Sequence, residues 1–372
     1  MNFDLAEEQK MLAEQARGLL AELSPPDRLR ELIDGNAESD EQLWRAVAEL
    51  GFLGASISEE YGGLGLGALD LGVISEEMGR AVAAVPFYAS IVCAADAIQT
   101  FGGADQKEVW LPRLASGDTV GTLAHAEGRQ GWWPRGAGVS FENGTVSGIK
   151  TPVGDAGLAE MAVVYCNVKG VPALAAVDLT SDRVTRRKLD SFDQLRAHFA
   201  IEFHDAPASL LDASVDDEEA IRSLIDRISV QTSFEAVGGA EACVYMARDY
   251  AMDRQIFGRP LASYQAIKHK LADILVATEF ARSNAFFAGW ASDNSPDDLA
   301  VAASAARLSA SNAYEQAARE NLQIHGGIGY TFEADCHFHY RRERTLALTL
   351  GPRQYWADRL VGQIPGNQME AA

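Results

Sequence analysis

Ala162-Val163-Val164-Tyr165-Cys166 and Ala200-Ile201-Glu202-Phe203 decide the fold class. Both are short runs rich in β-branched and aromatic residues, and turn signals such as Glu142-Asn143-Gly144 and Lys169-Gly170 punctuate the chain around them. Runs of this kind read as strands, and Asn-Gly favours the tight turn of a hairpin. They fill the chain between about residues 119 and 212. No strand–helix alternation accompanies them, so the pattern predicts a small antiparallel barrel or sandwich and not a Rossmann sheet.

Outward from this region the period is helical on both sides. Toward the N-terminus, Leu5, Met11, Leu12, Ala16, Leu19, Leu20 and Leu23 fall at helical spacing until Pro25-Pro26, which stop a helix. Ser39-Asp40-Glu41-Gln42 has the pattern of a capping box and leads into Leu43, Trp44, Val47, Ala48 and Leu50 before Gly51, predicting a second helix. Glu60-Tyr61-Gly62-Gly63-Leu64-Gly65-Leu66-Gly67 is too glycine-rich for regular helix and reads as a loop. Beyond residue 217, the Ala-rich stretches 236–252 and 300–320 and the segment Ala266 to Leu275 predict long helices packed as a bundle. The expected class is therefore α+β, with an all-α domain over 1–118, a β-barrel domain over 119–215 and a helical bundle over 216–372. A length of 372 residues suits two or three domains.

Composition excludes several function classes. The chain carries 32 Lys+Arg against 53 Asp+Glu, a net charge of −21, which opposes nucleic acid as a partner because phosphate backbones require a basic surface. Residues 1–118 hold 21 acidic and 8 basic residues, so an anionic substrate is expected toward the second part. With 47% hydrophobic and 23% charged residues the chain has the make-up of a globular protein with a large core, not a disordered one. No apolar run approaches the ~20 residues of a membrane span, and the opening Met1-Asn2-Phe3-Asp4 has no basic and apolar leader pattern. Cys93, Cys166, Cys243 and Cys336 form no CxxC pair, which fits free thiols in a reducing compartment, here the cytoplasm.

Three motifs then carry a resemblance. Tyr61-Gly62-Gly63-x-Gly65, Arg254-Gln255-Ile256-Phe257-Gly258-Arg259-Pro260 followed by Tyr264-Gln265-Ala266, and Gln323-Ile324-His325-Gly326-Gly327-Ile328-Gly329-Tyr330 resemble, in order and separation, the acyl-CoA dehydrogenases. The resemblance implies a helical domain, a β-barrel and a four-helix bundle. It also implies FAD as cofactor, an acyl-CoA substrate desaturated to the α,β-enoyl-CoA, and an electron-transfer flavoprotein or similar acceptor. In that family a carboxylate takes the α-proton while hydride passes to the flavin, and the FAD lies between two subunits. One subunit's barrel supports the ring, and the other subunit reaches the adenosine and pyrophosphate.

Matched residue by residue, the adenosine half is kept. Arg254 stands at the family's phosphate-contacting arginine, a task suited to a permanently charged fork. Gln255, Ile256, Phe257, Tyr264 and Gln265 match the neighbouring contacts. Gln323, Ile324, His325, Gly326 and Gly327 match the loop that lets backbone approach the cofactor, although a Gly-Gly pair also ends helices without any ligand. The flavin half departs from the pattern. Ala126-Glu127-Gly128-Arg129-Gln130-Gly131-Trp132-Trp133-Pro134 replaces the family's Thr-Glu-Pro stretch, and Pro152-Val153-Gly154 replaces its Trp-Ile-Thr. Trp132 and Trp133 either pack at a barrel rim or cover a substrate or partner.

The base is missing from both family positions. Leu350 stands for the C-terminal glutamate, and about Ile228, counted back from Tyr250, stands for the alternative one, with Ser229 where an arginine often follows. Asp226 and Glu235 are the weak substitutes that a one-turn register shift would bring in; Glu241 and Asp249 lie on the same helix and read as solvated or paired acids. His337-Phe338-His339 has no metal-ligand spacing, and no metal is expected. Arg341, Arg342 and Arg344 either approach phosphates or pair with acids.

The pattern of loss resembles the smaller subunit of heteromeric α2β2 acyl-CoA dehydrogenases, such as those of bacterial steroid side-chain degradation, in which a homologous partner supplies the flavin-ring contacts and the catalytic glutamate. Met78-Gly79-Arg80-Ala81-Val82-Ala83-Ala84-Val85-Pro86-Phe87 and the Leu350-Gly351 ending share that resemblance. Two other readings stay open at this point: a self-sufficient homo-oligomeric acyl-CoA dehydrogenase with a displaced base, and a catalytically inactive scaffold that binds CoA thioesters.

Overall fold

The computed structural model describes residues 5–128 and 138–363. In chain order its α-helices are α1 (Glu7–Leu23), α2 (Pro26–Asp34), α3 (Glu41–Glu49), α4 (Ala68–Arg80), α5 (Asp96–Phe101), α6 (Ala104–Ser116), α7 (Glu218–Asp253), α8 (Gln265–Asn294), α9 (Pro296–His325), α10 (Cys336–Thr349) and α11 (Arg353–Gly362). A π-helical turn occupies Tyr88–Ala95. Strands β1 (Gly121–Ala124), β2 (Ser140–Glu142), β3 (Thr145–Gly154), β4 (Met161–Val168), β5 (Val171–Asp178), β6 (Val184–Leu189) and β7 (His198–Leu210) lie between α6 and α7, and a short hairpin, β8 (Gln255–Ile256) and β9 (Arg259–Pro260), separates α7 from α8. Two compact units result. One holds α1, α4, α7 from Asp226 onward and α8 to α11; the other holds α2, α3, α5, α6 and β1 to β7.

The helical unit is packed on small residues. Ala303, Ala306, Ala310, Ala313 and Ala317 form the buried stripe of α9, facing Ala281, Ala285 and Ala288 of α8 and Phe234, Val237, Ala240 and Val244 of α7. Spacings of three and four keep such a stripe on one helix face. Where α4 crosses α7 there is no room for any side chain. A Cβ on Gly79 would lie 1.9 Å from the Glu235 carbonyl oxygen, and one on Gly238 would lie 1.8 Å from that of Glu76. The N-terminus of α4 is capped from a distance: the Ala68 N–H donates to the Asp293 carboxylate at 2.8 Å. Around the crossing, Arg80 and Arg282 pair with Glu76 and Glu241, and Arg17 with Glu77.

In the other unit the strand pairings run β4-β2-β3-β7-β5 and close through β4–β5. Val146, Val164, Cys166, Ala173, Ala175, Ile201 and Phe203 fill the interior. The two stretches that announced strands lie in β4 and β7, and Asn143 (φ 51°) and Gly144 (φ 81°) make the β2–β3 turn. The ladder is mixed and not purely antiparallel as expected. β1 pairs β4 in parallel, as does β2 at Ser140. Parallel pairing needs a long crossover, which β2 and β3 provide between β1 and β4.

Two helix boundaries are also sharpened. Pro26 opens α2 at its first position, where its missing N–H is harmless. Asp40 is the cap of α3, accepting from the Gln42 and Leu43 N–H groups at 3.1 and 3.3 Å. No described helix is long and apolar enough to cross a membrane.

Candidate functional site

Arg254 sits where α7 turns into the hairpin. Its N–H bonds the Tyr250 carbonyl at 2.9 Å, and its own carbonyl accepts from Leu261 at 2.7 Å. Gln255 and Ile256 pair with Pro260 and Arg259, while Phe257 (φ 50°) and Gly258 (φ 76°) form a two-residue turn with left-handed φ at both positions, the type that suits a twisted hairpin. Phe257, at the tip, is 95% exposed. The Tyr264 hydroxyl donates to the Ile256 carbonyl at 3.0 Å, fixing the ring beside the hairpin. The Arg254 side chain is exposed and makes no ion pair among the described residues; Asp249, one turn earlier, is taken by Arg248.

The second stretch converges on the first. Ile324 is buried against Ala247 and Ala251 of α7, with Tyr250, Leu261 and Ala262 packed around it. The His325 ring stacks on Tyr250 at 4.1 Å between centroids, and its Nδ1 lies 2.9 Å from the Asn321 carbonyl. Gly326 ends α9 at φ 67° and ψ −140°, a conformation that only glycine adopts readily. A Cβ added at Gly326 or Gly327 would meet nothing within 4 Å, so this backbone faces open space. Gln265 and Gln323 are likewise exposed. A guanidinium without an ion pair among the described residues and bare glycine backbone at the end of α9 are groups that suit a diphosphate, the charged centre of FAD.

The positions that the resemblance assigns to the base are apolar and closed. Leu350 and Ile228 are both fully buried, and the Trp356 indole N–H donates to the Leu350 carbonyl at 2.9 Å. Ser229 is buried with its hydroxyl on the Asp226 carbonyl at 2.9 Å. Neither substitute carboxylate is free to take a proton. Asp226 is held through both oxygens by Arg359 of α11, and Glu235 faces Arg342 of α10 at 3.1 Å. Glu241 is shared by Arg80 and Arg282, whose charges hold its carboxyl below the usual carboxylate range against the opposing effect of burial.

On the strand side, Glu127 is committed inside the barrel. Its carboxylate accepts from the N–H groups of Gly138 at 2.7 Å and Val139 at 3.3 Å and from Lys150 Nζ at 2.5 Å. Lys150 is fully buried over the Tyr165 ring, and burial pulls its pKa down. At Pro152-Val153-Gly154, Val153 points into the core and the Gly154 carbonyl accepts from the Thr122 hydroxyl at 2.7 Å. This stretch presents neither an aromatic face nor a hydroxyl. Arg129, Gln130, Gly131, Trp132, Trp133 and Pro134 lie outside the described residues.

The C-terminal arginines resolve toward acids and rings. Arg342 is fully buried against Glu235, Arg344 reaches Glu343 at 3.1 Å and Glu315 at 3.3 Å, and Arg341 lies over the Phe332 ring at 4.9 Å. His339 is buried against the Tyr314 hydroxyl, and burial, followed by the charges of Arg342 and Arg80, pushes its pKa down to about 3. It is a neutral core imidazole.

Glu343 is 2% exposed, and Arg344 lies near one of its oxygens without donating a hydrogen bond. Burial, opposed by Arg344, pushes its pKa up to about 7. The folded chain thus retains this proton between about pH 4.5 and 7 while the unfolded chain has released it, so this group costs stability as pH rises through that window. We expect Glu343→Gln to flatten this slope and to gain about 2 kcal/mol at pH 8, the full linkage being reduced by the buried amide. Urea melts at pH 5 and pH 8 check it; an unchanged difference between the two would refute the assignment.

Residue types alone did not single out Arg359, Trp356 or Arg259. Arg359 follows Trp356 by three positions on one helix face, but its partner Asp226 is 133 residues away.

Two family descriptions match the chain: "Acyl-CoA dehydrogenase, N-terminal domain" over residues 6–118 and "Acyl-CoA dehydrogenase, C-terminal domain" over residues 220–362. Together these spans exceed half of the chain. The chain is 29% identical to the probable acyl-CoA dehydrogenase YngJ of Bacillus subtilis, over 90% of this chain and 91% of that protein. It is 28% identical to acyl-CoA dehydrogenase IpdE2 of Mycobacterium tuberculosis, over 94% and 95%. A solved structure of a variant of the Tcur3481-Tcur3483 steroid ACAD superposes with a TM-score of 0.87 at 28% identity, covering 95% of this chain and 96% of that one. With both family domains matched in order around the strand region, the chain belongs to the acyl-CoA dehydrogenase family of oxidoreductases.

Proposed function

We propose that this chain is the supporting subunit of a heteromeric, flavin-dependent acyl-CoA dehydrogenase, contributing the adenosine-side contacts to an FAD shared with a homologous catalytic subunit. The observation that carries the reading is how the charged groups are committed. Asp226, Glu235 and Glu241 are spent on arginines and Leu350 fills the usual base position, whereas Arg254 has no acid partner among the described residues. FAD, when bound, supplies the hydride acceptor. This chain's part is to hold it: Arg254 takes the pyrophosphate, Gln255, Ile256, Phe257, Tyr264 and Gln265 line the hairpin side, and Gln323, Ile324, His325, Gly326 and Gly327 present open backbone. The partner supplies the ring contacts and the proton-abstracting glutamate.

In this reading residues 1–118, 119–215 and 216–372 are the three family domains, with α7 to α10 as the four-helix bundle. The assembly is an α2β2 tetramer that passes electrons to an electron-transfer flavoprotein or similar acceptor. The similar structure named for two chains, Tcur3481-Tcur3483, supports a heteromer and a steroid acyl-CoA substrate. Four buried free cysteines support the cytoplasm.

Expression of the chain alone and together with a homologous partner, read by visible flavin absorbance and dehydrogenase activity, tests the proposal. Flavin and activity only with the partner are expected; yellow, active protein from this chain alone would overturn it in favour of a self-sufficient enzyme, and no flavin in any combination would favour a scaffold. Within the complex, Arg254→Ala is expected to weaken FAD retention by ~1.5–3 kcal/mol, about 10- to 100-fold. Unchanged flavin content after dilution and dialysis would count against Arg254.

A further inference from the structure

Helix α8 is apolar on two sides. Its buried side, with Ile274, Ala281, Ala285 and Ala288, belongs to the core of the helical unit. Half a turn around the helix stand Ala272, Val276 and Phe280, spaced four apart, with Leu275 at their flank. All four are exposed, Val276 by 54% and Phe280 by 69%. A single exposed apolar residue is ordinary, and Leu348, the one large apolar side chain of α10 that is exposed among the described residues, is such a case. A helix with an apolar strip on its outer side as well as its inner one calls for a cover on both.

The charges beside the strip say what the cover is. Lys268 and Glu279 lie on one flank, eleven residues and so about 16 Å apart, too far to meet within one helix. Lys268 is exposed and makes no ion pair among the described residues, and Glu279 reaches Arg282 at 2.9 Å while remaining 52% exposed. An antiparallel copy of the same helix, related by a two-fold axis near Ile274, reverses the order of these groups. It sets Lys268 of each copy against Glu279 of the other, and Ala272 against Val276, so that a small side chain meets a larger one. In a two-fold contact each residue must suit its mate in both directions, and this strip does.

We propose that the outer face of α8 is where two copies of this chain pack against each other, through Ala272, Leu275, Val276 and Phe280, with Lys268 and Glu279 pairing between copies. For its place in the assembly the inference rests on the α2β2 reading above, in which it is the contact between the two supporting subunits. The chain accordingly dimerises through α8 without flavin and without the catalytic subunit.

Sedimentation velocity of the full chain, expressed alone and run over a range of concentrations, tests this. A dimer is expected, and Phe280→Glu is expected to weaken it at least about tenfold. Far-ultraviolet circular dichroism should not change, because this side chain is mostly exposed in the single chain. Leu348→Glu is expected to leave the dimer intact. Lys268→Glu and Glu279→Lys should each weaken it and together restore it, a rescue that an effect within one copy would not give. A chain that stays monomeric at every concentration, a dimer indifferent to Phe280→Glu, or a charge swap without rescue would overturn the proposal. So would a Phe280→Glu chain that dimerises normally but no longer joins the homologous partner, since the strip would then belong to that partner. Co-expression reports separately on the supporting-subunit reading. Lone-chain dimers with no flavin in any combination sink that reading and leave the α8 contact standing; a flavin-loaded heteromer whose size ignores Phe280→Glu sinks only the contact.

Discussion

Arg342→Met is expected to lower stability by ~3–5 kcal/mol, because it leaves Glu235 in the protein interior without the guanidinium that faces it. Arg342 is fully buried and Glu235 is 4% exposed, with 3.1 Å between Arg342 Nη1 and Glu235 Oε1. The cost comes from the stranded partner more than from the lost contact, so Arg342→Met combined with Glu235→Met should recover most of it. The backbone crossing at Gly79 uses the Glu235 main chain only and stays intact in the double variant. Urea unfolding of the single and double variants decides. A single variant within about 1 kcal/mol of the parent, or a double variant no better than the single, would show that the pair is not what holds α10 to α7. Flavin content of the complex should follow Arg254 and ignore Arg342, since Arg342 is spent on Glu235.

Leu350→Glu, which restores the family's carboxylate, is expected to yield no dehydrogenase from this chain alone and to destabilise it by ~3–5 kcal/mol at pH 8. The position is fully buried, its carbonyl is occupied by the Trp356 indole, and the guanidinium of Arg359, 5.7 Å from the Trp356 ring centroid, is committed to Asp226. Burial raises the folded-state pKa of such a carboxyl above its unfolded value. The penalty is therefore smallest at pH 5, grows as pH rises through the window between the two values, and is complete at pH 8. Leu350→Gln, of nearly the same shape but without the charge, should show a smaller loss that does not change with pH. Thermal or urea melts across pH 5–8 distinguish the two variants. A Leu350→Glu protein as stable as the parent at pH 8, or one that oxidises acyl-CoA by itself, would mean that the base position is open and would remove the main support for a catalytic partner.

The architecture was legible where the signal is local. Asn143-Gly144 and the Ala-rich stretch over 300–320 each specify a backbone conformation within a few residues, and the structure has a turn and a long helix with a buried stripe at those places, whereas Pro26, read only as a helix stop, also opens α2, and the cap of α3 falls on Asp40. The parallel pairing of β1 with β4 was not legible, because strand propensity says nothing about which strand lies alongside. The same division runs through the candidate site. The motif around Arg254 and the absence of a glutamate at 350 are visible as residue types. That Asp226 and Glu235 are unavailable is not, for each depends on an arginine 133 or 107 residues away.

The sequence by itself determined the kind of protein: a strand region between two helical ones, three motifs of one oxidoreductase family, and a leucine at the position that the resemblance assigns to the base. Only the tertiary structure decided which charges are spent. The strength of an ion pair depends on separation and on exclusion of water, and both arise when α7, α10 and α11 come together. As charges alone, Arg254, Arg342, Arg344 and Arg359 are alike on an acidic chain, and in the sequence only its motif sets Arg254 apart. In the fold, Arg342 and Arg359 neutralise buried carboxylates and Arg344 pairs at the surface, and of the four only Arg254 makes no ion pair among the described residues.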